Sequence, residues 1–312
     1  MNQTVVWSFA ILGLFIWMLF RPYATAPWKI LGVFGLLLLS GPLMVATLKA
    51  SAHAYPVKYD YVLQSLDESL GFTAFQVARL FNLWERTILI AVYDLLGAAM
   101  VAWYGVHLVI RGGQSRKLLY AYFILYLAGA ALYGIVPAMG PRYAFSATFP
   151  VGHPSFVAIP VPLDGYPNAM PSLHMATASL LVFFNNRNRW LLSIALLFLA
   201  ATVGATLALE HYVIDLIVAA PFTCFGVELA YGRVIPAMKY LAGVLGWLLL
   251  IRFGSSGLAQ HPWALRLMAA YTVAIGVHAI AVRWGTEEER SAHESLIVEA
   301  CGAPERSLRN LG

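Results

Sequence analysis

Pro171-Ser172-Leu173-His174 opens, and Glu210-His211-Tyr212-Val213-Ile214-Asp215 closes, a stretch that is otherwise apolar apart from Asn185-Asn186-Arg187-Asn188-Arg189 at its middle. The two histidines stand 37 residues apart. That separation fits about two bilayer crossings of roughly 17 residues each and a tight turn. A hairpin of this kind returns the chain to the face it left. His174, His211 and Asp215 are therefore expected to meet at one membrane surface. Ionisable side chains at the mouths of apolar helices are expensive, and a shared role accounts for their presence.

The rest of the chain agrees with a membrane reading. Of 312 residues, 60% are hydrophobic and 11% charged, against about a quarter charged in a soluble domain. Apolar runs of spanning length occur near 5–20, 28–48, 87–110, 118–137, 171–185, 190–208, 212–231, 237–251 and 263–283. The predicted fold class is all-α, a polytopic membrane helix bundle of about nine spans. Residues 1–284 form the membrane domain, and 285–312 a polar cytoplasmic tail, read as a short helix or a disordered segment. Met1-Asn2-Gln3-Thr4 lacks the lysine or arginine of a secretory signal, so the first run is expected to be retained. Cys224 and Cys301 are too few and too differently placed for a disulfide framework.

The formal net charge of +5 is dispersed in short loops, which excludes a nucleic-acid patch. Arg21 and Lys29, Arg111, Arg116 and Lys117, Arg187 and Arg189, Arg233 and Lys239, and Arg283 and Arg290 fall on one side. The positive-inside rule makes that side cytoplasmic, with the N-terminus outside and the C-terminus inside. The loop 138–170 and the starts of the fifth and seventh runs then face away from the cytoplasm. The linker 49–86 alternates apolar and polar residues and is expected to lie on the outer surface as one or two amphipathic helices. Trp84, Tyr143, Trp190 and Trp263 fall near predicted interfaces, as aromatic belts do.

His211 and Asp215, four residues apart, share a helix face. A carboxylate that accepts the Nδ1–H of an imidazole leaves Nε2 as an outward lone pair, which suits a nucleophile or base. Pro171 suits a first helical turn, where free amides favour a phosphate or similar anion. Arg142, in Gly140-Pro141-Arg142-Tyr143 just upstream, can grip two phosphate oxygens. The set meets the needs of phosphoryl transfer. Two histidines and an aspartate also suit zinc, and the same groups can serve a transporter as a proton relay, so both alternatives stand. Ser172 is equally well read as a helix cap. Glu210 is read as a solvated neighbour, Asp94 as a buried polar contact, and His107 and His278 as packed residues within their spans.

Pro-Ser-Leu-His followed by Glu-His-Tyr-Val-Ile-Asp resembles the second and third signature motifs of the type 2 phosphatidic acid phosphatase superfamily. It is closest to the inositol phosphorylceramide synthase-like branch, in which His-Tyr-x-x-Asp is usual. Gly140-Pro141-Arg142-Tyr143 is similar to what precedes Pro-Ser-x-His there, and Tyr59-Asp60 to Leu70-Gly71 also has the family's flavour. The resemblance implies a six-helix core within about 28–231, with the motifs in 140–215. It implies a lipid phosphatase or phosphotransferase that uses no metal or other cofactor. His211 would form a phosphohistidine, oriented by Asp215. His174 would protonate the leaving oxygen and then activate the acceptor, water or a small alcohol or polyol. Arg142, Tyr143 and Ser172 would bind substrate, a lipid phosphate in the bilayer. Phosphatase members carry Lys-x6-Arg-Pro, whereas Ile135 stands seven residues before Arg142 and Tyr143 follows it. They also carry Ser-Arg where this chain has Gly204-Ala205. Two cationic phosphate ligands are thus absent, which leaves Arg142 more heavily used.

Overall fold

The computed structural model describes residues 27–52, 55, 57–111, 113–145, 159–160, 169–184, 189–206 and 210–300. The apolar run 5–20, most of the loop 146–168 and the tail beyond 300 lie outside them. In chain order the helices are α1 (Pro27–Ala52), α2 (Asp60–Leu70), α3 (Ala74–Ala78), α4 (Leu83–Asp94), α5 (Leu96–Arg111) and α6 (Gly113–Leu132). They continue as α7 (Pro141–Phe145), α8 (Leu173–Phe183), α9 (Arg189–Ala205), α10 (Val213–Ala230), α11 (Val234–Gln260) and α12 (Pro262–Ala300). The one strand pairing among the described residues is a two-residue antiparallel pair, β1 (Val57–Lys58) with β2 (Ile159–Pro160).

α10 is the axle of the bundle. Its residues from Val213 to Ala219 and from Pro221 to Val227 are buried, and it packs against α2, α6, α8, α11 and α12. Small residues let the neighbours close in. A side chain at Gly226 would run into Leu125 of α6, and one at Gly276 of α12 would meet Ala220. Close approach of this kind supplies the dispersion contacts that hold helices together where lipid removes the hydrophobic incentive.

Among the described residues three helices are long and apolar enough to cross a membrane: α10, α11 and the Pro262–Gly285 part of α12. α4 and α5 make a fourth if taken as one span, bent by 47°. The expected run 87–110 is therefore broken at Leu95, directly after Asp94, which is exposed at the bend rather than buried. The run 171–185 is also shorter as a helix than expected. α8 has 11 residues, about 16 Å of rise against a hydrocarbon core of about 30 Å. α12 passes without a break from the expected ninth span into the segment read as a tail, ending at Ala300.

The linker helix α2 departs most from expectation. It does not lie on the surface: Val62, Leu63, Leu66, Asp60 and Asp67 are fully buried, and α2 packs on α10, α11 and α12. The alternation predicts an amphipathic helix on the outer surface, but its polar face is occupied by the ends of other elements. Three of the basic residues assigned to one side lie around one ring. Lys117 and Arg283 each lie 3.8 Å from the Tyr231 ring centroid and Arg233 lies 5.7 Å from it. That cluster sits at the C-terminal end of α10, the end opposite His211.

Candidate active site

His174 lies in the first turn of α8 and His211 stands just before Tyr212, the residue that caps α10, and the structure brings their rings to 6.0 Å between centroids. Ser172 Oγ accepts the Met175 amide at 3.2 Å, so it caps α8, and it is fully buried. The start of α10 is buried as well, and its amides find acceptors in two ways. Asp215 Oδ2 accepts from Tyr212 N at 2.9 Å, and Asp67 of α2 accepts from Val213 N at 2.8 Å and Ile214 N at 3.1 Å. A buried helix end must be satisfied in this way, because four of its amides have no partner inside the helix.

Asp60, at the other end of α2, holds the loop before α7. Its Oδ1 accepts from Met139 N at 3.0 Å, Gly140 N at 3.0 Å and the Tyr212 hydroxyl at 2.9 Å. Burial pushes its carboxyl up to about 7 despite these donors. Gly140 adopts φ +96°, and a Cβ there would collide with the carbonyl oxygen of Glu210. Only glycine allows both the left-handed backbone and the close approach. The loop bearing Arg142 is thereby pressed against the residue preceding His211.

The protons of the site follow from its contacts. His211 Nδ1 lies 2.9 Å from Asp215 Oδ2 and 3.1 Å from the Ala169 carbonyl oxygen. Both are acceptors, so Nδ1 carries a hydrogen, and in the neutral ring Nε2 is the lone pair. Tyr93 reaches that lone pair with its hydroxyl at 3.3 Å and lies 2.8 Å from His174 Nδ1. A phenol has one proton. It donates to His211 Nε2 and accepts from His174 Nδ1–H, giving one direction to the chain His174, Tyr93, His211, Asp215. The Tyr93 ring also stacks on His174 at 3.9 Å.

Arg142 is on the rim. Its Nη1 donates to Glu210 Oε1 at 2.7 Å, with 54% of the Arg142 side chain exposed and 9% of that of Glu210. Glu210 is thus a partner of the arginine rather than a solvated bystander. Tyr143 is exposed, with the Arg142 guanidinium 6.0 Å from its ring centroid. His107 is buried edge-on to Phe184, whereas His278 is exposed on α12 and is not the packed residue expected. Among the described residues no three His, Cys, Asp or Glu side chains are grouped so as to hold a metal ion.

The family model of the PAP2 superfamily matches residues 62–229. That is more than half of the chain, and it contains Tyr93, Arg142, His174, His211 and Asp215. The chain belongs to the PAP2 superfamily. Membership suggests a phosphatase-type function and agrees with the membrane-length helices. No curated protein and no solved structure gives a significant match to the chain. α1, α11 and α12 lie outside the segment that matches the PAP2 model.

Three PAP2 site residues escape a reading of sequence alone. Tyr93 adjoins Asp94, the one acid in its apolar run, but nothing local says which of the two points inward. Asp60 and Asp67 stand in the segment that resembles the family, seven residues apart and so on one helix face. That spacing was the available signal, and their partners are 79 residues or more away in sequence.

Proposed function

We propose that this protein is an integral-membrane lipid phosphatase or phosphotransferase working through a phosphohistidine on His211. The observation that supports the reading is the pair of acceptors on His211 Nδ1, which hold a hydrogen there and leave Nε2 as the nucleophilic lone pair of the neutral ring. Nε2 attacks the phosphorus, and the bond from phosphorus to the lipid alcohol oxygen breaks. His174, carrying a second proton on Nε2 when the lipid phosphate is bound, gives that proton to the oxygen and keeps its Nδ1–H on Tyr93. In the second half His174 takes a proton from the acceptor, whose oxygen attacks phosphorus and releases Nε2. The imidazolium formed at His211 is balanced by Asp215. Arg142 exchanges Glu210 for phosphate oxygens and neutralises charge on the transferring group.

The finer reading is transfer to an alcohol or polyol, as in the inositol phosphorylceramide synthase-like branch, and it rests on the His-Tyr-x-x-Asp motif and the two missing cations. The assignment of the site to the extracytoplasmic face rests on the pattern of basic loops. The division into a membrane domain and a tail, with a core bundle over about 28–231, rests on the apolar runs. The transporter alternative draws no support: below Asp215, α10 turns Leu216, Ile217, Val218, Phe222 and Phe225 to the interior, and its next ionisable groups are Cys224 and Glu228 toward its far end.

The test is turnover of phosphatidic acid and a panel of phospholipids in nanodiscs, with and without inositol and with chelator. The reading expects phosphate release or headgroup exchange that survives chelator and is abolished in His211→Ala. Activity that persists in that variant, or that chelator removes and zinc restores, would overturn it.

A further inference from the structure

Beside the histidines a groove of about 340 Å³ runs between α1, α5, α6 and α8, and His174 stands among its lining residues. Leu37, Met44 and Leu48 of α1, Leu96 of α5 and Leu173 of α8 make its walls apolar. The hydroxyls of Ser40, Tyr122 and Tyr126 are already engaged within its walls. Ser40 Oγ donates to the Leu37 carbonyl oxygen at 2.7 Å and accepts from Tyr122 at 2.7 Å, while the Tyr126 hydroxyl donates to the Ser40 carbonyl. Those groups ask nothing of an occupant, which favours hydrocarbon over a headgroup.

Gly41 and Gly97 also line the groove, and open space lies where their side chains would begin. Glycine within a helix costs about 0.5–1 kcal/mol relative to alanine, so both positions spend stability to leave room. One wall is α1, which lies outside the segment matched by the family model.

We propose that this groove takes one hydrocarbon chain of the lipid phosphate, laid between α1 and α5 with its phosphate end at His174. The inference rests on the phosphoryl-transfer reading above and adds where the lipid lies. A chain leaving the bilayer for the groove gains no release from water, since the bilayer interior is as apolar as leucine. What the groove supplies is orientation: it sets the depth and bearing of the phosphorus relative to His211.

Gly97→Phe and Gly41→Leu fill the groove from positions without a positive φ and with better helix formers, so both variants are expected to fold. Dioleoyl phosphatidic acid and phenyl phosphate, which has no chain, are compared as substrates of each variant in nanodiscs. A phosphatidic acid bearing a diazirine on one acyl chain is cross-linked in parallel and mapped by mass spectrometry. Filling the groove is expected to lower kcat/KM for the lipid at least about tenfold while phenyl phosphate stays within about twofold. Cross-links are expected on α1 and α5 near Met44 and Leu96, and to fall about tenfold in Gly97→Phe. Equal loss on both substrates, unchanged lipid turnover, or cross-links outside the groove or unaffected by Gly97→Phe overturns the proposal. Groove cross-links without turnover of either substrate would sink the phosphoryl-transfer reading and leave the lipid site standing. Turnover with cross-links elsewhere would do the reverse.

Discussion

Asp67 ties the site together from a distance, and its removal is the most quantitative test of the architecture. Both of its oxygens are used, one on Val213 N at 2.8 Å and one on Ile214 N at 3.1 Å, and the side chain is fully buried. Asp67→Ala leaves two buried amides without acceptors, each costing about 1–3 kcal/mol. The sum is about 2–6 kcal/mol. For chains of about 150–250 residues, each kcal/mol moves Tm by about 2–4 °C, so the loss is at least about 4 °C. Asp67→Asn recovers little, because its amide nitrogen would face one of the two N–H donors. The assay is thermal unfolding in nanodiscs, followed by tryptophan fluorescence, with lipid phosphate turnover measured at a temperature where all variants remain folded. Turnover is expected to fall as well, since the same amides open the helix carrying Asp215. An Asp67→Ala protein that unfolds within about 1 °C of the parent would refute the capping argument.

Three further outcomes follow from the same geometry. Asp60, with its carboxyl raised to about 7 by burial, holds a proton in the folded chain that the unfolded chain releases near 4. Its contribution to stability is full below about pH 4 and is lost as pH rises through about 7, so unfolding temperature is expected to decline from pH 5 to pH 8 and to be flatter in Asp60→Asn. Tyr93→Phe removes a hydrogen bond to each histidine, and the loss of about 0.5–1.5 kcal/mol of proton ordering predicts a fall in kcat of about two- to thirteenfold. That fall should come with an altered pH profile and with KM little changed; an unaltered kcat and profile would show that the hydroxyl only fills space. Gly140→Ala combines left-handed strain of about 1–2 kcal/mol with a collision at Glu210, and is expected to abolish activity and to lower Tm by several degrees, read by the same unfolding assay.

The elements of this bundle were legible where the chain is monotonous and hidden where it is not. The runs that became α10, α11 and α12 announce themselves by length and apolarity, and the 37-residue spacing was enough to bring His174 and His211 together. The break at Leu95 was not legible, because the residues on either side are as apolar as any continuous span. Its consequence is functional: the bend lets Tyr93 turn inward between the histidines while Asp94 faces out. The burial of α2 was hidden for a different reason. Apart from the Tyr212 hydroxyl, the partners of Asp60 and Asp67 are backbone amides of residues 139–140 and 213–214, which carry no side-chain signature. Ser172 had two readings in sequence, and the Met175 amide accounts for it as a cap. Glu210 was missed because the close approach that aligns it with Arg142 depends on the backbone of Gly140.

Chemistry on His211 is the claim from which the others descend. Phosphatidic acid labelled with ³²P at its phosphate, mixed with protein in nanodiscs and quenched rapidly during turnover, tests it directly. The account predicts an acid-labile, alkali-stable label that maps to the peptide containing His211 and is missing in His211→Ala. Unlabelled His211 in a protein that turns over the same lipid, or label on any other residue, would contradict it.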